Sequence, residues 1–560
     1  MKLSPEIRWL IDRWGLPGEE SVTGIVKDLL ESERTKGSTA LQLPSPVTDW
    51  GRAASAAGDP GTSPLVRIGH GGAEYLQSRR CYLAEESIAT RILGIAGAHP
   101  LPPPGAGLES FLKSLFPHAA EGDLQLKAAR TAWEQRLLIL TGGPGTGKTF
   151  TLSRILSLLI ECGISADFIR LAAPTGKAAD RMKQSVEQSF STAGEEDDSQ
   201  RRKDLLRIAR GSSTIHSLLG YNPSKGRCRH DAKTPLSCEV LILDECSMVD
   251  LHLFRALLEA LPADARLILL GDPLQLQSVA QGNVLGDLVS HAADPASPLH
   301  SCHIHLTESQ RFKDRKGIKA LAQALESSDA DAAEALLLAA QGASEDGVAW
   351  IKPERGRIPY KSFPETVRRA VEAVASARDG LTALDLLSSV CILTAHRNHS
   401  LGAKAIGERI TRELKSHGIG PAKGQPPNVP VIVNENDPET GLRNGAVGIL
   451  HTVNDGVRRA YFPGPDKEPT PYPVGALPDH SPAWAITIHR SQGSEYDDVL
   501  VILPSGESPL TTRELLYTAI TRARRNVHIA GSLDIVKTAV KTRSDRVTLF
   551  KAALDRIARP

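Results

Sequence analysis

The chain of 560 residues is too long for a single core, and its length predicts three or four domains. Hydrophobic residues make up 41% and charged residues 23%, a soluble globular composition, and no run of about 18 apolar residues supports a membrane span. The net charge of +1 leaves a nucleic-acid partner open, since a protein that releases a polyanion in every cycle needs local basic stripes rather than a basic body. The seven cysteines are scattered without a CxxC pair, which reads as reduced cytosolic thiols and places the protein in the cytoplasm.

Met1 to Glu20 mixes Glu6, Arg8, Asp12 and Arg13 with apolar residues, the pattern of an amphipathic helix and not of a signal peptide. The chain continues helix-rich to about residue 100, with no chemical signature. Leu101-Pro102-Pro103-Pro104-Gly105 reads as a linker. From about residue 118 short apolar runs alternate with helical stretches. Leu137–Leu140, Ile169–Ala173, Val240–Leu243 and Leu267–Leu270 are such runs, the signature of buried parallel strands. Glu195 to Asp198 reads as a solvated acidic loop, and Tyr221 to Leu236 as either a short hairpin or a surface loop.

A second set of strand-like runs follows at Val390–Leu393, Val499–Leu503 and Val527–Ala530. Between them, Val429–Val433, Val447–Leu450 and Arg458–Phe462 are separated by Gly441, Asn444-Gly445 and Pro463-Gly464-Pro465, which suggests a small inserted β-barrel. The expected fold class is α/β, with two parallel-sheet blocks. The expected partition is a helical domain at 1–117, a first α/β block at 118–300, a second at 301–425 and 481–560, and the β insertion at 426–480.

The first block carries a phosphate-binding pattern. Gly142, Gly143, Pro144, Gly145, Thr146, Gly147, Lys148 and Thr149 fit a P-loop, with a strand before and the helical Phe150–Glu161 after. Glycines let backbone N–H groups turn inward around phosphates, and the helix N-terminus adds its dipole. Lys148 supplies a point charge to the β- and γ-phosphates of ATP, and the Thr149 hydroxyl binds Mg2+. A second acidic site must help to hold the metal. Asp244 and Glu245 end the run Leu241-Ile242-Leu243; Asp244 is the Mg2+ partner and Glu245 is placed to polarise the attacking water. These features alone define a P-loop ATPase of open class.

Further stretches resemble the motifs of superfamily 1 helicases, in order. Gln125 sits at the place of the adenine-reading Gln. Ala173-Pro174-Thr175-Gly176-Lys177-Ala178-Ala179 resembles motif Ia, and Gly271-Asp272-Pro273-Leu274-Gln275-Leu276 resembles motif III. Glu308-Ser309-Gln310-Arg311-Phe312 resembles motif IV. The run from Thr487 to Tyr496 resembles motif V, and that from Leu516 to Arg524 resembles motif VI.

Leu171 to Ala179, Leu477-Pro478-Asp479-His480, His489 to Glu495 and Arg513 to Ala519 are similar to phrases of the RecD branch, over residues 118 to about 545. The resemblance implies two RecA-like motor domains with an SH3-like insertion, and 5′ to 3′ movement on single-stranded DNA. It implies a heterotrimer with RecB-like and RecC-like subunits, in which the N-terminal domain docks onto the RecC-like one and the nuclease lies on the RecB-like one. Such a complex acts at double-stranded DNA ends in break repair, homologous recombination and degradation of linear DNA.

By the same resemblance, Gln275 senses the γ-phosphate, Arg311 and Arg522 reach it from the second block, and Glu495 joins the nucleotide site. Pro174, Thr175, Lys177, Thr214, His216, Thr487, His489 and Gln492 are the DNA-contact candidates. Gln310 departs from the usual Tyr and Arg490 from the usual Lys, the latter keeping charge but not shape. The competing readings are a stand-alone 5′ to 3′ helicase of the same superfamily and a scaffold with a dead ATPase fold.

Overall fold

The computed structural model describes residues 4–44, 50, 53–57, 61–98, 106–120, 122–191, 199–340, 346–453, 456–464, 469–544 and 546–558. The expected linker at 101–105 and acidic loop at 195–198 fall outside these residues. The chain forms two compact units. The first comprises Met1–Pro273, Gln277–Glu308 and Asp545–Pro560; the second comprises Leu274–Leu276 and Ser309–Ser544.

Unit one is built on a six-stranded sheet. Its strands run, edge to edge, His303–Leu306, Leu137–Gly142, Arg266–Gly271, Val240–Leu243, Ile169–Ala173 and Ser213–Thr214, every pair parallel. The apolar runs of the sequence are explained by two cores, one on each face. Leu137, Ile139, Leu241, Leu243, Leu267 and Leu269 join one core, while Leu138, Leu140, Val240, Ile242, Ile268 and Leu270 join the other. Alternation of side chains along a strand, with helices on both faces, demands apolar residues at every position.

The helical expectation for the N-terminal region needs correction. Helices Pro5–Trp14, Glu20–Thr35, Arg79–Ala96 and Ala106–Leu115 accompany a four-stranded sheet ordered Ala40–Gln42, Ala73–Ser78, Leu65–His70, Ala54–Ala56. Gly71 and Gly72, at φ 59° and 79°, close the central hairpin with His70 opposite Ala73. A two-residue turn with both φ positive favours glycine.

Two further boundaries move. His303–Leu306, expected in the second block, pairs with Leu137–Gly142 as an edge strand of unit one. The C-terminal helix Phe550–Ala558 also returns to unit one, where Phe550, Ala553 and Leu554 share a core with Ile88 and Ile92. Tyr221 to Leu236 is a surface loop with one antiparallel bridge, Asn222 to Arg227.

Unit two has a five-stranded parallel sheet ordered Val348–Ile351, Ala523–Ala530, Tyr496–Ile502, Val390–Thr394, Ile486–Thr487. The inserted β region is a five-stranded antiparallel sheet, Thr470–Pro473, Arg458–Phe462, Val447–Thr452, Val429–Val433 and His480–Pro482 in that order. Among the described residues its two edge strands do not pair with each other. Val431, Val433, Leu450, Ala460 and Phe462 form its own small core.

Candidate functional site

The phosphate-binding loop leaves strand Leu137–Gly142 and enters helix Lys148–Glu161. Gly142, Gly145 and Gly147 take φ of 158°, 77° and 89°. A Cβ on Gly147 would sit 2.4 Å from Gln125 Nε2, and one on Gly142 would sit 2.7 Å from Leu306 O. Backbone therefore closes the cradle to a side chain at Gly142, while at Gly147 the left-handed φ is the constraint. Thr146 Oγ1 donates to Gly143 O at 2.8 Å, and Lys148 Nζ donates to Gly142 O at 2.6 Å and Gly143 O at 3.1 Å. Gln125 Nε2 donates to Thr146 O at 3.3 Å, from a helix whose first turn is capped by Asp123. Pro144 is buried in the loop, and Thr149 is half-buried at the second position of the helix.

Asp244 and Glu245 follow strand Val240–Leu243 at the same, C-terminal, end of the sheet. Asp244 N donates to Ala172 O at 2.9 Å, and Asp244 Oδ1 accepts from Glu245 N at 2.8 Å. Burial first, and then the Glu245 charge, push the Asp244 carboxyl up; the Glu245 N–H, Lys148 and Arg181 pull the other way. A carboxylate so crowded with negative charge is a fit partner for a divalent cation, with the Thr149 hydroxyl on the neighbouring helix. Glu245 itself lies in the left-handed region at φ 51°, ψ 43°. A non-glycine residue there is strained, and such strain gathers where a side chain must be aimed.

Beside the loop, the Thr141 hydroxyl meets His303 Nε2 at 2.8 Å and His305 Nδ1 at 2.9 Å. A hydroxyl has one proton, so one ring donates to it and the other accepts. Burial and neighbouring imidazoles push His303 down to about 4, so it is neutral at physiological pH. Sequence reasoning did not single out this trio, nor Arg181, whose helical spacing of four from Lys177 was the available signal.

In unit two the motif III, V and VI residues converge. Arg522 is 2% exposed and Gln275 5% exposed, and Arg522 Nη2 donates to Gln275 Oε1 at 2.8 Å. Arg522 also donates from Nε to Thr518 O at 3.0 Å and from Nη1 to Ser494 O at 3.2 Å. Leu276 N donates to Thr518 Oγ1 at 2.9 Å, and Gln492 Nε2 donates to Leu276 O at 3.0 Å. Gln492, a DNA-contact candidate, is thus only 8% exposed and serves the motif III backbone. Arg311 Nη2 donates to Glu495 Oε1 at 2.6 Å, while Arg524 Nε lies 3.4 Å from Glu495 Oε2. Glu495, expected at the nucleotide, is here a clamp between two arginines.

The remaining DNA-contact candidates fall at strand ends. Pro174 and Thr175 follow Ile169–Ala173; Thr175 Oγ1 accepts from Ala178 N at 3.2 Å, and Lys177 stands in the first turn of helix Gly176–Ser191. Thr214 caps helix Ile215–Leu218, and the His216 ring lies edge-on to Tyr221 at 5.4 Å. Thr487 is half-buried before the turn Ile488–Ser491, and burial pushes His489 down.

Comparison with known proteins decides the family. Residues 125–281 match the AAA domain model, and residues 482–530 match the UvrD-like helicase C-terminal domain. The RecBCD enzyme subunit RecD of Mycolicibacterium smegmatis is 34% identical over 526 residues, covering 91% of this chain and 88% of that protein. The chain belongs to the RecD family. A second RecD relative, from Mycobacterium tuberculosis, is 35% identical over 539 residues, with 94% and 88% covered. The ATP-dependent RecD2 DNA helicase of Deinococcus radiodurans is 31% identical over 399 residues, which is 71% of this chain and 47% of that one. Among solved structures, Bacteroides Pif1 bound to single-stranded DNA is 18% identical with a TM-score of 0.38, covering 73% of this chain and 92% of that one. As a RecD-family protein, the chain is an ATP-dependent DNA helicase.

Proposed function

We propose that this RecD-family helicase is the 5′ to 3′ single-strand translocase subunit of a RecBCD-type complex, working with RecB-like and RecC-like partners at double-stranded DNA ends. The reading rests on one observation above the others. The three residues Leu274–Leu276, which follow a strand of the ATP-binding sheet, are gripped by Gln492, Thr518 and Arg522. A change in nucleotide state at Gln275 therefore has a direct route to motif V, which carries Thr487 and His489.

Each residue has a part in the reaction. Backbone N–H groups of 143–148 and the Lys148 ammonium bind the β- and γ-phosphates of ATP. Gln125 faces the loop where adenine recognition is assigned. Thr149 and Asp244 are the residues that would hold Mg2+, which neutralises phosphate charge when bound. Glu245 orients and deprotonates the attacking water. Arg311 and Arg522 stabilise the charge of the transferring phosphoryl group, and to do so they exchange their present acceptors, Glu495 and Gln275, for phosphate oxygens.

Pro174, Thr175, Lys177, Thr214, His216, Thr487 and His489 are assigned to the DNA strand. The inserted antiparallel sheet is assigned as the SH3-like domain, the region before 118 to the RecC-like contact, and nuclease chemistry to the RecB-like subunit.

The test is twofold. Affinity-tagged chain is expected to capture the RecB-like and RecC-like proteins of its own organism. On oligonucleotides blocked with streptavidin it is expected to displace the block from the 3′ end and not the 5′ end. Displacement from the 5′ end would overturn the polarity, and unwinding by the lone chain with no capture would favour a stand-alone helicase.

A further inference from the structure

The chain leaves unit two at Ser544, and its closing segment, from Arg546 to Ala558, belongs to unit one. Val547 O accepts from Thr39 N at 2.8 Å, and Val547 N donates to Ser38 Oγ at 3.1 Å. The next two residues meet two acids. The Thr548 hydroxyl bonds to Asp287, on helix Val284–Ala292. Leu549 N donates to Glu85 Oε1 at 3.4 Å, on helix Arg79–Ala96. Helix Phe550–Ala558 then packs against both of those helices.

Both acids are held without a counter-charge. Among the described residues neither forms an ion pair. Glu85 is 2% exposed and accepts from Thr39 Oγ1 at 2.5 Å and from Gln77 Nε2 at 2.8 Å. The Gln77 amide oxygen is buried and has no partner. Turned over, that amide would accept a proton from a neutral Glu85 instead of donating to an ionised one. Asp287 Oδ2 is likewise shielded from solvent without a hydrogen-bond partner. A carboxylate oxygen so placed is costly when ionised and less so when protonated.

We propose that Glu85 and Asp287 form a proton-operated latch on the segment from Arg546 to Ala558. With a proton on the pair the segment is seated; with both carboxylates ionised it comes away from unit one. Arg546, at the head of the segment, holds the carbonyls of Ser278, Ala280 and Gly282, just beyond motif III. Opening the latch would free that stretch as well.

The charges agree with this reading. Burial, the largest cause, pushes both acids up to about 7, and the Glu85 charge adds to the rise at Asp287. Hydrogen bonds from Gln77, Thr39 and Leu549 N oppose the rise at Glu85, while Thr548, Lys551 and Arg546 oppose it at Asp287. Ordinary carboxyls titrate near about 4. The stability that seating confers is therefore present at acidic pH and lost as pH rises through about 7. The other charged groups at the seat have partners of their own. Glu86 pairs with Arg556, and His291 Nε2 lies 3.5 Å from Asp555 Oδ1. Lys551 Nζ donates to Ser290 Oγ at 3.3 Å, and Cys81 Sγ meets Glu33 Oε1 at 3.8 Å.

The test is hydrogen exchange of the full chain at pH 6 and pH 8, corrected for the intrinsic pH dependence of amide exchange and read on peptides covering Phe550–Ala558. One acid that titrates near 7 when seated and near 4 when released weakens seating about tenfold across that range. Protection in the wild type is therefore expected to fall about tenfold or more from pH 6 to pH 8. Glu85→Gln keeps an acceptor for Thr39 and Leu549 N, and should shrink the fall. Glu85→Gln/Asp287→Asn should remove it; if that pair does not fold, the wild type and Glu85→Gln carry the test. Equal protection at the two pH values in the wild type would overturn the proposal. So would an undiminished fall in the variants, which would place the response at His291 or Glu33. Protection at pH 8 equal to that of strand Leu137–Gly142 would also overturn it, since the segment would then not open separately.

Discussion

Arg522 donates to the side-chain oxygen of Gln275 at 2.8 Å, joining motif VI to motif III inside one unit although 247 positions separate them. Both side chains are nearly inaccessible to solvent, and Arg522 also donates to two backbone carbonyls. These three acceptors are neutral, and a charged phosphate oxygen can outbid them.

That pairing gives the first prediction. Gln275→Ala removes the acceptor without touching the arginine, so ATP turnover with DNA should fall at least tenfold while strand affinity changes little. Arg522→Ala should cost roughly a thousandfold or more in turnover, as for arginines that stabilise phosphoryl transfer elsewhere. Steady-state hydrolysis with and without DNA, beside a binding isotherm, separates the effects. Equal loss of binding and turnover in Gln275→Ala would show that the bond merely supports the fold.

Asp244 links activity to pH. Its carboxyl is raised by burial and by Glu245, so the folded chain without metal favours the protonated form more than the unfolded chain does. Stability is therefore lost as pH rises through the folded pKa, and Mg2+ must compete with a proton as pH falls. Asp244→Asn should raise Tm at pH 8 in metal-free buffer, leave it nearly unchanged at pH 5, and abolish turnover. A variant whose Tm drops at pH 8 would contradict the assigned cause of the shift.

Glu245 combines strain with chemistry. At φ 51° it occupies backbone space that glycine takes freely. Glu245→Gly should hold or raise thermal stability, by up to about 1 kcal/mol, while hydrolysis is lost and ATP binding persists. Glu245→Gln should lose hydrolysis without the stability gain. Differential scanning calorimetry and a nucleotide-binding isotherm provide the comparison.

Arg546 is a structural anchor that no motif announces. Its guanidinium donates to Lys36 O at 2.9 Å, Ser278 O at 2.9 Å, Ala280 O at 3.1 Å and Gly282 O at 2.6 Å. It ties the C-terminal segment both to the N-terminal region and to the stretch that follows motif III. Arg546→Ala should destabilise unit one by about 3 kcal/mol, because four carbonyls lose a charged donor. Chemical denaturation read from Trp50 and Trp9 would reveal it, and an unchanged midpoint would remove the anchor role.

The sheet of unit one was legible because its buried strands are short, mostly apolar runs bounded by Gly, Pro, Asp or Thr, and Ile169–Ala173 and Val240–Leu243 match the structure residue for residue. The P-loop was legible because three of its glycines need positive φ. What escaped was of two kinds. The N-terminal sheet is made of strands of three to six residues whose one strong signal, the Gly71-Gly72 turn, was hidden among helical periodicity. Contacts such as Arg522 with Gln275 or Arg311 with Glu495 join distant positions, and nothing local in the sequence states which acceptor a buried arginine will choose. Gln492 shows the same limit: its motif suggests a strand contact, yet its amide is turned inward to Leu276.

ATP hydrolysis by the purified chain, with and without single-stranded DNA bearing a free 5′ end, tests the central claim most directly, with Lys148→Gln as the control. The expected result is turnover strongly stimulated by DNA in the wild type and absent in the variant. Turnover indifferent to DNA, or undiminished in Lys148→Gln, would contradict a motor in which the phosphate loop drives the strand contacts.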